Sequence, residues 1–431
     1  MSAAAPELAR ELTDEELVDG ATEGPVNIRG ALRKLVWWAI PANFAIFVIW
    51  GAVPGLLLAK QIEAFDPDPQ AKVANLAIVA TIGAFVAMIA QPVAGQVSDR
   101  TRSRFGRRAP WMIIGSVVGG AALIALGFQH TILGFVICWA LVQAAYNFAQ
   151  GPLSAIMPDR VPRMARGTFA AVSGIALMVG ALGGSVVGAS FVSMIPVGYT
   201  VLAVFAVVAL ALFNVFNRDR SSLDQVNEPF DLKAFLSTFW VNPVKHPDFF
   251  WAFTGRLLLY TGYFAVVGYQ LYILSDYIGL GDDATSMVPL LSLAGLPGII
   301  ISIAVSGPIS DKVGRRKPFV FGSSVLVAVA MLFPIFMPTF TGMLIMSIVA
   351  GFGFGMFQSI DTALMSEVLP SKESFAKDLG VVNIAATLPQ TLAPGVAGAI
   401  VLAFGYIALF PVGIALSILG ALAVWPIKAV R

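Results

Sequence analysis

The chain has 431 residues, of which 58% are hydrophobic and only 12% are charged, with a formal net charge of +2. Soluble domains carry about 25% charged residues, so this composition excludes an ordinary soluble globular protein and indicates a membrane protein. The nearly balanced charge gives no indication of a nucleic-acid partner. The single cysteine, Cys138, excludes an intramolecular disulfide.

Residues 1–34 are predicted to form an acidic cytoplasmic tail. A secretory signal peptide would begin with a basic segment, so none is expected here. We expect a disordered or surface-lying tail whose role is solvation, with partner binding as the alternative. The carboxylates that dominate this segment are Glu7, Glu11, Asp14, Glu15, Glu16, Asp19 and Glu23.

Apolar runs of membrane-spanning length follow along the rest of the chain. A run of about 20 apolar residues crosses a bilayer as a helix, and lipid allows only helices or closed barrels to span it. The runs are continuous rather than alternating, which indicates helices. The sequence predicts twelve spans, at roughly 35–59, 73–96, 110–128, 132–156, 168–192, 197–216, 249–275, 286–309, 318–337, 340–365, 380–403 and 405–426.

Lysine and arginine fall in alternate loops between these spans. Placing the N-terminus inside puts nearly all of the 27 Lys and Arg residues in cytoplasmic segments, as the positive-inside rule requires. The exceptions are Lys60 and Lys72 outside and Arg256 within a span. We therefore expect a multi-pass protein of the cell (inner) membrane with both termini in the cytoplasm.

A charged phrase occurs twice in the chain. "GQVSD" at 95–99 matches "GPISD" at 307–311, and the "GRR" that begins at Gly106 matches the one that begins at Gly314. The first copy contains four additional residues between Asp99 and Gly106. We call residues 95–108 the first charged loop and residues 307–316 the second charged loop.

The repeat predicts how the chain is divided. A second pair of segments, "SAIMPDRVP" at 154–162 and "TALMSEVLP" at 362–370, keeps the same offset as the "GRR" pair. An internal repeat of this length indicates two related halves. The sequence therefore predicts an all-α membrane protein with two pseudo-symmetric six-helix bundles, at 35–216 and 249–431, joined by a cytoplasmic linker at 217–248.

The motif Gly-x-x-x-Asp-(Arg/Lys)…Gly-Arg-Arg after spans two and eight resembles the signature of the major facilitator superfamily. The longer form "SDRTRSRFGRRAPW" is similar to that of the glycoside–pentoside–hexuronide:cation symporters and the related sucrose:proton symporters. "PDRVPRMARG" and "KDLGVVNIAATLPQTLAP" share that similarity. The resemblance implies a monomeric transporter that works by alternating access, with a substrate site near the midplane and spans 1, 4, 7 and 10 around the cavity.

Two spans depart from the subfamily pattern. Span two contains no carboxylate of the kind that holds sodium in melibiose-type members, which favours protons over sodium as the coupling ion. Span five lacks the arginine of plant-like sucrose carriers, which leaves the identity of the sugar open. It also lacks the Gly-Pro-x-x-Gly-Gly element of drug:proton antiporters, which weighs against drug export.

Two charged residues, Arg256 and Asp361, lie well within predicted spans seven and ten at similar depth. Charged side chains at such positions usually face the bundle interior or a water-filled cavity. Two interpretations of the pair remain open. It is either a structural salt bridge or a coupling site in which the Asp361 carboxylate takes up and releases protons with substrate binding.

Uncharged polar residues recur at helical spacing along the predicted cavity spans and span eleven, so that each set shares one face. Interhelical hydrogen bonding is the alternative explanation for such residues. Amides bond hydroxyl groups and aromatic rings cover the C–H face of a sugar, so the pattern favours a sugar-like substrate. The predicted substrate-binding residues are Asn43, Trp50, Gln143, Asn147, Gln150, Tyr260, Tyr263, Gln270, Gln358, Asn383 and Gln390.

The charged loops predict a cytoplasmic gate. Their arginines set the topology, and their aspartates are expected to hold loops, helix N-termini or arginines and so latch the outward-facing state. The predicted gate residues are Asp99, Arg107, Arg108, Asp311, Arg315 and Arg316.

No predicted span contains a histidine, and the chain has no Cys/His cluster with metal spacing, no phosphate loop and no serine-elbow motif. We therefore expect no enzyme activity, metal or cofactor. The sequence favours proton-coupled symport of a sugar or glycoside by a secondary active transporter. The alternatives are an exporter or facilitator of another metabolite or drug, and a non-transporting receptor or scaffold.

Overall fold

The computed structural model describes residues 30–162, 165–224, 243–368 and 375–428, and these residues contain no β-strand. Residues 1–29 of the predicted tail and residues 225–242 of the predicted linker lie outside the described part. Eleven described helices are long and apolar enough to cross a membrane, and a twelfth, Tyr406–Leu422, is shorter. The prediction of a twelve-helix membrane protein is confirmed.

The helices follow the predicted spans in order and extend a few residues past several of them. Span two, for example, begins at Pro69 and continues through Asp99, because helical hydrogen bonding does not end where the apolar run ends. The spans are Gly30–Phe65, Pro69–Asp99, Ala109–Leu126, Ile132–Arg160, Arg166–Ser190, Val192–Phe216, Pro247–Gly268, Gly281–Ser310, Lys317–Phe336, Phe340–Glu367, Phe375–Phe404 and Tyr406–Leu422.

Spans one and seven each pass into a π-helical turn. Span one changes to a π-helix at Val53–Leu57, where Pro54 has no backbone N–H to donate. After Gly268, span seven gives way to a short turn at Gln270–Tyr272 and a π-helix at Ile273–Tyr277. Single π-helical turns are frequent at functional sites.

The chain forms two compact units. The first contains residues up to Ala52, Ile89–Val187 and Ser193–Glu228, and the second contains Val53–Met88, Gly188–Val192 and Pro229–Arg431. The second half of span one and most of span two therefore belong to the unit that holds spans seven to twelve. The six-plus-six division of the chain at the linker stays a prediction from the repeat.

Each unit has its own packed interior. In the first, Leu32 and Leu35 are fully buried and Trp38 stacks on Phe216 with ring centroids 4.5 Å apart. In the second, spans eight and ten approach so closely that a Cβ on Gly351 would lie 2.4 Å from the Gly295 carbonyl oxygen. Small residues permit such close packing of helices in membranes.

Candidate functional site

Spans one and four bring together Trp50 and Gln150 in the first unit. The Trp50 indole Nε1–H donates to Gln150 Oε1 at 2.9 Å. The Trp50 ring meets Trp139 and Tyr146 edge to face, at centroid distances of 6.3 and 6.2 Å. We call these residues, together with Asn147 on the same helix as Gln150, the indole–amide cluster, which carries no formal charge.

Two asparagines of the predicted set bond to their own helices. Asn43 Nδ2 donates to the Ala39 carbonyl at 2.8 Å, and Asn147 Nδ2 donates to the Gln143 carbonyl at 2.7 Å. These bonds fix which end of each amide is engaged. Gln143 contributes its backbone to this arrangement and is half-buried.

Trp139 and Tyr146 were not among the predicted site residues. Trp139 lies four residues before Gln143 and seven before Tyr146, so the same helical spacing could have found both. They were missed because an aromatic residue in an apolar run gives no polar signal. Both are almost completely buried, and the Tyr146 hydroxyl has no hydrogen-bond partner among the described residues.

Arg256 and Asp361 meet in the second unit. Arg256 Nε lies 3.2 Å from Asp361 Oδ2, and the two side chains are only 9% and 2% exposed. The two atoms are within ion-pair distance but are not aligned as a hydrogen bond, and Arg256 Nη1 has no hydrogen-bond partner among the described residues. The pair is therefore a buried ionic contact that leaves hydrogen-bonding capacity unused.

Aromatic rings surround this ion pair. Arg256 lies over the Tyr260 ring, with its guanidinium carbon 5.4 Å from the ring centroid. The Tyr260 and Phe354 ring centroids are 5.4 Å apart. Tyr263 stacks on Phe354 with centroids 4.3 Å apart and an interplanar angle of 15°. Arg256, Asp361, Tyr260, Tyr263 and Phe354 make up the ion-pair cluster.

The remaining predicted substrate residues are more scattered. Gln270 follows the break in span seven and is half-buried, Gln358 is half-buried on span ten, and Gln390 is exposed on span eleven. Among the described residues, no hydrogen bond joins Gln270 to the ion-pair cluster. The side chain of Asn383 lies outside the described residues.

A second ionic group in this unit was not predicted. Lys72 Nζ contacts Glu63 Oε1 at 2.8 Å and Asp276 Oδ2 at 2.9 Å, although its side chain is only 5% exposed. Lys60 contacts Glu63 at 3.0 Å, and the Tyr406 hydroxyl donates to Asp276 at 2.8 Å. We call these five residues the lysine cluster.

The first charged loop is held by carboxylates of the same unit. Arg108 Nη2 contacts Asp99 Oδ1 at 2.6 Å, and Arg108 Nε contacts Asp159 Oδ2 at 2.9 Å. Arg107 Nη2 contacts the other oxygen of Asp159 at 2.8 Å. Asp159 was not predicted as a gate residue, although it lies in the repeated segment "SAIMPDRVP".

The four-residue insertion in this loop contacts the segment that follows span six. The Ser222 hydroxyl donates to the Thr101 carbonyl at 2.8 Å and accepts from the Ser103 N–H at 3.0 Å. Gly106 has φ 85°, and a Cβ there would lie 2.3 Å from Asp219 Oδ2. The insertion therefore docks the start of the predicted linker.

The second charged loop is shorter and has no such insertion. The helix of span eight continues past Ser310 to Val313, and Gly314 caps it in the left-handed conformation at φ 64°. The Ser310 hydroxyl donates to the Arg315 carbonyl at 3.4 Å, and Arg316 precedes the first residue of span nine. The side chain of Asp311 lies outside the described residues.

The described part of the chain contains no candidate metal site. No group of three or more His, Cys, Asp or Glu side chains there could hold a metal ion.

Comparisons with known proteins connect these features to a family. The family model described as Major Facilitator Superfamily matches residues 39–374 and 298–430. Two solved structures share the fold at 14% identity. A mutant of the nucleoside transporter NupG has a TM-score of 0.74, covering 91% of this chain and 99% of its own. An inward-facing bacterial homologue of the lysosomal transporter Spinster has a TM-score of 0.64, covering 91% and 94%.

Curated relatives match over shorter segments. Sucrose transport protein SUC4 of Arabidopsis thaliana is 30% identical over 125 residues, which is 24% of each chain. Sucrose transport protein SUT1 of Oryza sativa subsp. japonica is 26% identical over 158 residues, which is 30% of this chain and 29% of its own. The general alpha-glucoside permease of Schizosaccharomyces pombe is 37% identical over 59 residues, which is 14% and 11%.

These aligned segments span less than a third of the length of the curated relatives. The family match, in contrast, extends over nearly the whole chain and agrees with the twelve membrane helices and the repeated charged loop. The chain belongs to the Major Facilitator Superfamily of membrane transporters.

Proposed function

We propose that the protein is a secondary active transporter that carries a sugar or glycoside in symport with protons by alternating access. The observation that carries the proposal is the buried contact between Arg256 and Asp361 beside the rings of Tyr260, Tyr263 and Phe354. A carboxylate in this position has the chemistry of a proton carrier, and the rings have the chemistry of a sugar-binding surface.

The coupling follows from the cost of burying charge. A buried carboxylate is tolerated when a cation pairs with it, and it takes up a proton when the cation moves away. A conformational change that separates Arg256 from Asp361 would therefore load Asp361 with a proton. Restoring the contact would release that proton, so transport of the substrate and the proton would be linked through one ion pair.

The sugar assignment rests on the uncharged groups. The amides of Asn43, Asn147 and Gln150 suit hydroxyl groups, and the matched relatives carry names that refer to sucrose and alpha-glucosides. Proton rather than sodium coupling is favoured because span two, Pro69–Asp99, has no carboxylate before its terminal Asp99.

We place the protein in the cell membrane with both termini in the cytoplasm, because of the distribution of Lys and Arg. A monomer is what the family resemblance implies. In this orientation both charged loops are cytoplasmic. Asp99, Arg107 and Arg108 of the first loop would act with Asp311, Arg315 and Arg316 of the second as the cytoplasmic gate. The contacts that Asp99 and Arg108 make inside the first unit would then set the conformation of that loop.

Uptake into proteoliposomes tests the function. An inwardly directed proton gradient should drive accumulation of one or more radiolabelled sugars from a panel that includes sucrose, maltose and methyl α-glucoside. Asp361→Asn should abolish accumulation against a gradient while retaining counterflow of the same sugar. Accumulation that survives in this variant would show that Asp361 is not the coupling residue.

A ligand panel in a thermal-shift assay distinguishes the alternative of drug or metabolite export. Binding stabilises the folded protein by mass action, so neutral sugars should raise the melting temperature. Shifts by amphiphilic drugs or other metabolites, with none by sugars, would contradict sugar transport and favour export or facilitated transport of those compounds.

A further inference from the structure

Hydrogen bonds within the first unit determine which end of each amide remains available to a ligand. An indole N–H can only donate, so the Gln150 atom that lies 2.9 Å from Trp50 Nε1 is the carbonyl oxygen. The Gln150 NH₂ group makes no hydrogen bond among the described residues. Gln150 therefore offers a hydrogen-bond donor.

Asn147 and Asn43 have the opposite polarity. A backbone carbonyl can only accept, so the Asn147 atom that lies 2.7 Å from the Gln143 carbonyl oxygen is the amide nitrogen. The same reasoning applies to Asn43 and the Ala39 carbonyl at 2.8 Å. Both asparagines therefore keep their side-chain oxygen available as an acceptor.

The cluster also contains a polar group that lacks a partner. The Tyr146 ring meets Trp50 edge to face, and its buried hydroxyl has no hydrogen-bond partner among the described residues. Buried hydroxyl groups are normally hydrogen-bonded. The indole–amide cluster is therefore incomplete without a further polar molecule, which is the behaviour of a binding site rather than of a finished interhelical contact.

We propose that Trp50 is a positioning residue that orients the Gln150 amide, so that the first unit offers the Gln150 NH₂ group as donor and the Asn43 and Asn147 side-chain oxygens as acceptors to a neutral, hydroxyl-bearing ligand. A hydroxyl group can both donate and accept, so it satisfies either polarity. An ionised carboxylate or phosphate oxygen only accepts, so it supplies no donor to the side-chain oxygens of Asn43 and Asn147. This inference rests on the proposed sugar transport. It adds that the site selects neutral sugars over anionic sugars.

Gln150→Glu provides the sharpest test, because glutamate retains the acceptor for Trp50 and replaces the NH₂ donor with a second acceptor. We expect binding of sucrose or methyl α-glucoside to weaken about 30-fold at neutral pH, from the lost donor and the added charge. At about pH 5 a half-buried glutamate becomes partly protonated and its O–H restores a donor. Affinity should then recover to within about fivefold of wild type.

The matched control is Gln150→Leu, which has no donor at any pH and should bind weakly throughout. The affinity of each variant is measured by calorimetric titration of the full-length protein and compared with that of wild type at the same pH. This comparison cancels any effect that protonation of Asp361 has on sugar affinity, because all the proteins contain Asp361. Acid recovery in Gln150→Glu alone supports the inference. Equal affinities of the two variants at every pH, or an unchanged affinity of Gln150→Glu at neutral pH, would overturn it.

Trp50→Phe gives an independent reading, because phenylalanine keeps a ring but has no N–H. The Gln150 amide can then turn over, and we expect about fivefold weaker sugar binding with a melting temperature close to that of wild type. A large fall in melting temperature without a change in affinity would assign Trp50 a packing role instead.

The wild-type protein separates failure of the inference from failure of the proposed function. Neutral sugars should bind more tightly than D-glucuronate and glucose 6-phosphate. Tighter binding of the anionic sugars would overturn the inference and leave sugar transport standing. Binding of none of these sugars would overturn both.

Discussion

The two units differ in how their polar groups are stabilised. The indole–amide cluster of the first unit is uncharged, and its bonds, such as Trp50 to Gln150, leave amide ends available. The ion-pair cluster of the second unit places Arg256 against Asp361 in a site where both side chains are almost fully buried. This difference fits the proposed function, in which the neutral groups would select the ligand without responding to pH and the buried carboxylate would respond to protons.

The largest effect is expected when one partner of the ion pair is removed. Arg256→Met leaves Asp361 buried without a cation, which should lower the free energy of unfolding by about 3–5 kcal/mol and abolish proton-driven uptake. Thermal unfolding and uptake in proteoliposomes measure the two effects.

The double variant Arg256→Met with Asp361→Leu is the control for that experiment. It removes the unpaired charge, so most of the stability should return while proton-driven uptake stays absent. If Arg256→Met alone were as stable as wild type, the contact would not hold two charges in the folded protein.

Variants of the lysine cluster test whether a buried cation also stabilises neighbouring carboxylates elsewhere in the second unit. Lys72→Met leaves Glu63 and Asp276 close together without their shared cation, and we expect a loss of about 3 kcal/mol in unfolding free energy. Lys60→Met is the matched control, because the Lys60 side chain is 23% exposed and its loss should cost about 1 kcal/mol or less. Equal shifts in melting temperature for the two variants would contradict the burial argument.

A smaller effect is expected from the aromatic part of the ion-pair cluster. Phe354→Leu removes the ring that stacks on Tyr263 at 4.3 Å, which should cost about 1 kcal/mol of stacking energy. Sugar affinity in calorimetric titration should fall about fivefold if this ring covers the ligand. Phe264→Leu serves as the control, since Phe264 meets Phe354 only edge to face. The same loss of affinity in both variants would argue against a specific stacking surface.

The smallest expected effect lies in the first charged loop. Ser222→Ala removes the hydroxyl that bonds to Thr101 and Ser103, at a cost of about 1 kcal/mol. The start of the linker should become more sensitive to limited proteolysis, while sugar affinity stays at the wild-type value. Unchanged cleavage near residues 217–224 would show that the insertion does not dock this segment.

The two charged loops show which features the internal repeat could predict and which it could not. The repeat aligns Asp99 with Asp311 and Gly106 with Gly314, and both glycines adopt positive φ. The alignment also located the four extra residues in the first copy. Their role as the docking site for Ser222 could not be predicted, because that contact joins residues 119 and 121 positions apart.

The ion-pair cluster was more accessible to prediction than the lysine cluster. Arg256 and Asp361 stand out because charges are rare in apolar spans, and helix rise gave their similar depth. Glu63, Lys72 and Asp276 lie at the ends of spans, where charged residues are common, so composition gave no reason to pair them. Lys72 and Asp276 are 204 positions apart in the chain.

Hydropathy, helical periodicity and the internal repeat are local or nearly local properties, so the amino-acid sequence was sufficient for the twelve helices, the membrane location, the family and the faces that carry polar residues. The polarity of the Gln150 amide, the burial of Lys72 and the role of Asp159 depend on contacts between distant segments. Hydrogen-bond direction and burial arise only when those segments pack, which is why the folded structure was needed to assign them.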